Sequence, residues 1–127
     1  MDTRRLAVYL SRTRVGLGIA MMLAPRAAMW PWLGGAADGA VAGLLIRTLG
    51  ARDFVLGAGA AIAVGEQRGA ANWVSMNALI DGADAVASLV TPGLPARARI
   101  VGVLAASSAV VHLALARQLA REEVATP

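Results

Sequence analysis

The sequence predicts an all-α protein: a four-span transmembrane helix bundle with antiparallel neighbours, in one domain covering residues 1–127. Three observations carry that expectation. Four apolar segments, at about 6–24, 41–64, 70–90 and 98–120, alternate with short stretches rich in Pro, Gly and charge. Each is roughly 19–24 residues, the length a helix needs to cross a ~30 Å hydrocarbon core. The third segment is apolar around most of its circumference and polar along one strip, the reverse of a soluble amphipathic helix.

The first segment, Leu6–Ala24, stops at Pro25, whose ring cannot continue a helix without loss of a hydrogen bond. Residues 25–35, with Pro25, Pro31, Gly34, Gly35, Trp30 and Trp32, read as an interfacial loop. The second segment, Val41–Val64, ends at Gly65-Glu66-Gln67-Arg68-Gly69. A stripe of Gly39, Gly43, Arg47, Gly50, Phe54, Gly57 and Ala61 runs along it, with Asp53 on its border, and Gly39-x-x-x-Gly43 would let a second helix approach closely. In the third segment, Ala70–Val90, residues Trp73, Asn77, Asp81, Asp84 and Ser88 follow steps of 4, 4, 3 and 4 and share one face. The fourth, Ala98–Ala120, is followed by the polar Arg121-Glu122-Glu123.

Two other readings compete. A soluble four-helix bundle would put the apolar stripe of each helix on a polar cylinder, which the third segment does not do. A cleaved signal peptide would use Arg4, Arg5, Arg12 and Arg14 ahead of the apolar run 15–24, yet the remaining segments would still require a membrane.

Composition narrows the function. At 57% hydrophobic and 16% charged, with mean hydropathy +0.61, the chain is too apolar for disorder. Without cysteine there is no disulfide, thiolate zinc site or iron–sulfur cluster, and with one histidine no transition-metal site of the usual type is expected except a carboxylate-rich one. The net charge of +4 is carried by arginines alone, scattered singly through apolar runs, so nucleic acid is not expected as a partner. Arg4, Arg5, Arg68, Arg117 and Arg121 fall on one side of a four-span topology, and Arg26, Arg97 and Arg99 on the other. The positive-inside bias then puts both termini in the cytoplasm, with Trp30 and Trp32 at the outer interface and Trp73 at the inner one.

Charges inside the spans are the informative feature, because each central Arg or Asp costs ~2.5–3.5 kcal/mol unless it pairs or reaches water. Arg14, Arg52, Asp53 and Asp81 fall near segment midpoints, Asp84 ~6 Å and Arg47 ~8 Å outward of them, and Asn77 and His112 several Å inward. Three cations, Arg14, Arg47 and Arg52, would meet three carboxylates, Asp53, Asp81 and Asp84, at matching depths. Asp53, Asp81, Asp84 and His112 are the candidate catalytic groups, and Arg14, Arg47, Arg52, Asn77 and Ser108 the candidate ligand-binding or network residues. The plainer reading is a structural network that fixes helix pairing. Alternatively, Asp81 and Asp84 form a carboxylate pair sharing a proton, and His112 with Ser108 takes part in proton transfer. Arg12 points away from Arg14 and snorkels to the headgroups. Gly16-x-Gly18 and Gly57-x-Gly59 lie inside helices and are not dinucleotide loops; no Walker loop, nucleophile elbow or His-Glu-x-x-His occurs, and no cofactor is expected.

Three stretches, Arg14-Val-Gly-Leu-Gly leading to Pro25, Gly50-Ala-Arg-Asp-Phe-Val-Leu-Gly, and Asp81-Gly-Ala-Asp84, together resemble the small four-helix integral membrane proteins of bacteria and fungi grouped as domains of unknown function. More loosely, they are similar to the DoxX-like family. The resemblance covers nearly the whole chain and implies a four-span bundle in a bacterial inner membrane. DoxX-like proteins suggest redox or quinone-linked roles, and no cofactor ligand is matched in this chain.

The leading expectation is a membrane-embedded protein, partnered by the lipid bilayer, that binds a lipid or isoprenoid-like ligand or serves as an accessory subunit through its Arg/Asp network. A homo-oligomer or larger membrane complex is compatible with it. The alternative is an intramembrane acid–base enzyme acting on a hydrophobic substrate (an isomerase, epoxide-opening hydrolase or cyclase), which requires a carboxyl without an arginine partner at the end of an apolar pocket. The third is a proton-coupled transporter, which needs an oligomer to build a path.

Overall fold

The computed structural model describes residues 2–125, and these are helical almost throughout. Five α-helices follow one another: α1 (Thr3–Leu23), α2 (Pro25–Leu33), α3 (Ala40–Glu66), α4 (Ala70–Val90) and α5 (Ala96–Ala125), with a 3-10 turn at Gly34–Ala37. The Asp2 carboxylate accepts from the Arg4 amide and caps α1. At the other end of α1 the chain kinks at Ala24 (φ −134°) and restarts at once, with Pro25 in the first turn of α2. Residues 25–35 are therefore not a loop. A proline in the first helical turn gives up an N–H that has no acceptor there anyway, so the residue that ends α1 also starts α2. Gln67, at φ 56°, closes α3 in the left-handed region.

Three helices, α1, α3 and α5, are long and apolar enough to cross a membrane. The 21-residue α4 falls outside that group because Asn77, Asp81, Asp84 and Ser88 lower its hydropathy. It nevertheless turns those residues inward: Asn77 and Asp81 are buried, Asp84 and Ser88 half-buried, while Met76, Leu79, Val86 and Val90 are exposed. The same inversion holds across the molecule, with Tyr9, Leu44, Leu45, Val55, Ile62, Leu104 and Val110 all on the outside. So extended an apolar surface is the expected exterior of a protein whose solvent is lipid.

Packing is uneven. Helix α1 lies along α3 and α4 along α5, whereas the two pairs touch one another much less. Small residues explain the close pairs. A Cβ at Gly18 would stand 2.6 Å from the Gly50 carbonyl oxygen and 2.6 Å from the Phe54 amide, and one at Gly57 would stand 2.6 Å from the Ser11 carbonyl. On α5, Gly102 meets Leu89 and Ser88 in the same way. The buried face of α3 includes Gly43, Ile46, Gly50, Asp53, Gly57, Ala60 and Val64, rotated from the stripe expected from the glycines alone. Phe54, Arg47 and Gly39 are exposed, and Asp53 lies within the buried face instead of on its border. Contact with α1 made that choice, because Asp53 must point inward to meet a cation.

Two apolar clusters close the ends of the bundle. Ala7, Val64, Ala70, Ala71, Val74, Leu115, Ala116 and Leu119 form one. Met21, Ala37 and Ile46, flanked by Ala28, Met29 and Leu33 of α2, belong to the other. At the first end Thr3 donates to Gln118 (2.9 Å) and Arg4 to Glu122 (3.1 Å), so α1 and the last turns of α5 meet there. Trp73, near this end, packs its ring on the α3 backbone at Gly59.

Candidate functional site

Between the two apolar clusters lies a layer of polar side chains contributed by all four long helices. Asp81 of α4 is its hub, 4% exposed. One carboxylate oxygen, Oδ1, is held by the Arg14 guanidinium of α1. The other, Oδ2, accepts from the Ser108 hydroxyl (2.6 Å) and lies 2.9 Å from His112 Nδ1, both on α5. Nδ1 also lies 3.1 Å from the Ser108 carbonyl. A carbonyl and a carboxylate can only accept, so the imidazole carries a proton on Nδ1 and donates it. Serine at one turn before histidine puts both groups on the face of α5 that meets α4.

The second half of the layer is built on Arg52 of α3. It grips Asp84 of α4 with two parallel contacts, Nη1–Oδ1 at 2.9 Å and Nη2–Oδ2 at 2.6 Å, the fork geometry that makes Arg–carboxylate pairs strong. It also reaches the adjacent Asp53, with Nε at 3.3 Å and Nη2 at 3.2 Å from Oδ1. Asp53 in turn lies 3.7 Å from Arg14 Nη1, which links the two halves. The chain of charges runs Asp84–Arg52–Asp53–Arg14–Asp81–His112.

Seven of the expected residues thus come together: Arg14, Arg52, Asp53, Asp81, Asp84, Ser108 and His112. Two do not. Arg47 is exposed and donates from Nε to the Met22 carbonyl at 3.1 Å, so the expected balance of three arginines against three carboxylates is corrected to two arginines, one imidazole and one hydroxyl. The physical reason is the rotation of α3. Arg47 and Phe54 are seven residues apart on one side of the helix, and once Asp53 faces inward that side is carried outward. Asn77 is buried one turn below Asp81 but donates to the Trp73 carbonyl of its own helix (3.0 Å), and its Oδ1 has no hydrogen-bond partner among the described residues. Arg14 Nη1 likewise has no hydrogen-bond acceptor among the described residues, and its contact with Asp53 is an ion pair only.

The layer's strongest property is where its bonds go. Arg14–Asp81 joins α1 to α4, and Arg52–Asp84 joins α3 to α4, so each crosses between the loosely packed helix pairs. Ion pairs here fasten what side-chain packing leaves thin. Replacing Arg52 by methionine is expected to lower the unfolding free energy by about 2–3 kcal/mol, because Asp84 loses its guanidinium fork among apolar helix surfaces that offer little water to replace it. A detergent-denaturation midpoint for Arg52→Met measures it. Comparison with family models, curated proteins and solved structures found no match to this chain.

Proposed function

We propose that this chain is a four-span integral membrane protein with antiparallel neighbours, that it binds a hydrophobic lipid or isoprenoid-like ligand or serves as an accessory subunit, and that its Arg/Asp/His layer locks the helices in place. The observation that carries the reading is the polarity of the bundle. The charges buried between the helices are paired with one another while large apolar side chains face outward, an arrangement stable in lipid and unfavourable in water. In this reading α4 is the fourth span, admitted because its carboxylates are neutralised by Arg14 and Arg52 before they meet hydrocarbon. Both termini are read as cytoplasmic from the arginine bias of the connecting segments, and a bacterial inner membrane is what the resemblance to small four-helix membrane proteins implies.

A binding or accessory role is favoured over acid–base catalysis by the pairing of the carboxylates. Asp53, Asp81 and Asp84 each contact an arginine, whereas an acid–base enzyme requires a carboxyl without an arginine partner at the end of an apolar pocket. Two surface grooves lie near the ends of the bundle and are lined by other residues. The test is a lipid-extraction mass spectrum of the protein purified in mild detergent. A stoichiometric lipid, quinone or isoprenoid is expected to accompany it. Recovery of the protein without detergent, as a soluble monomer, would overturn the reading.

A further inference from the structure

The larger of the two grooves has no part in the layer of paired charges, and its composition is specific. It offers about 710 Å³ between the end of α1, helix α2 and the start of α3, and is lined by Ala24, Pro25, Trp30 and Pro31 with the arginines Arg26 and Arg47. Arg26 is already paired with Asp38 (2.5 Å). Arg47 is not: among the described residues no carboxylate lies within ion-pair distance of it, and its Nε is held by a backbone carbonyl. It sits two turns inside α3, among the exposed Val41, Leu44, Leu45 and Leu49.

We propose that this groove holds the headgroup of an anionic phospholipid from the surrounding bilayer, with the phosphate on Arg47 and an acyl chain along the apolar wall beside Trp30. This rests on the membrane reading above and adds to it the class of lipid and its site. Two arguments converge. An arginine on the outer face of a span needs an anion or water, and a phosphate offers the paired oxygens that a guanidinium fork engages best. The surrounding end of the bundle also carries a positive excess: Arg26, Arg47, Arg97 and Arg99 stand against Asp38 alone. Arg97 lies 5.5 Å over the Trp30 ring, which fixes that indole at the mouth of the groove. A zwitterionic headgroup would bring its own cation into this field, so a net negative one is selected.

The protein is reconstituted in phosphatidylcholine vesicles containing brominated phosphatidylglycerol or, separately, brominated phosphatidylcholine, and quenching of tryptophan emission is recorded. Subtracting the signal of Trp30→Phe isolates Trp30. Brominated phosphatidylglycerol is expected to quench Trp30 the more effectively, and Arg47→Gln to lower that preference roughly fivefold, the effect of one basic residue at a lipid surface. Arg47→Lys keeps the charge but loses the fork, so its preference is expected to fall between those of the wild type and Arg47→Gln. Equal quenching by the two lipids in the wild type overturns the proposal, as does equal loss in Arg47→Gln and Arg47→Lys. Protein that inserts but shows no preference sinks this proposal alone; protein that fails to insert sinks the membrane reading with it.

Discussion

Asp81→Ala will cost this protein about 3 kcal/mol of unfolding free energy, toward the lower end of what removing one partner of a buried ion pair costs. The carboxylate is nearly inaccessible and has three partners on two other helices: Arg14, Ser108 and His112. Alanine removes at once an acceptor shared by a guanidinium, an imidazole N–H and a hydroxyl. Arg14 retains Asp53 at 3.7 Å, which keeps the loss from being larger. The helices themselves are not at fault in the variant, so far-UV helicity should persist while the denaturation midpoint in detergent falls. Asp84→Asn is the internal comparison. Its amide oxygen still accepts from Arg52, which also keeps Asp53, so a cost of about 1 kcal/mol is expected. Equal midpoints for Asp81→Ala and the wild type would show that the polar layer does not hold the helix pairs together.

Gly18→Ala will be destabilising by about 1–3 kcal/mol, although alanine is the better helix former. The added methyl meets backbone, the Gly50 carbonyl and the Phe54 amide, which no rotamer change can move aside. Helices α1 and α3 would have to part, loosening the approach at Gly57 along the same seam. At Gly82 of α4 the same substitution meets nothing within 4 Å. There only the propensity gain of up to about 1 kcal/mol remains, and the sign reverses. Thermal unfolding in a single detergent compares the two variants; a stabilised Gly18→Ala would mean the α1–α3 seam is looser than its geometry.

The helices are legible in the sequence because a span repeats one signal over some twenty residues, and the four apolar segments correspond to α1, α3, α4 and α5. The inward face of α4 is equally legible, since Asn77, Asp81, Asp84 and Ser88 are spaced to share one side of a helix. Helix α2 is hidden by its prolines, which mark a break but also fit a first turn. Glycine spacing alone misplaces the α3 stripe, because it ignores what faces each glycine. Gly39 is exposed with φ 95° and packs against nothing, whereas Gly50 and Gly57 meet α1 backbone. Arg47 is misassigned for the same reason: matching depth does not settle on which side of a helix a charge points.

By itself, then, the order of residues determined that this chain forms long apolar helices and that its mid-helix charges had to be neutralised, since an isolated ion in hydrocarbon is too costly to keep. Which charges meet was decided only by the tertiary structure. Rotation of α3 against α1, set by backbone contact at Gly18, Gly50 and Gly57, turned Asp53 inward and Arg47 outward. A rotation about a helix axis is a property of two packed surfaces, and neither sequence segment contains it alone.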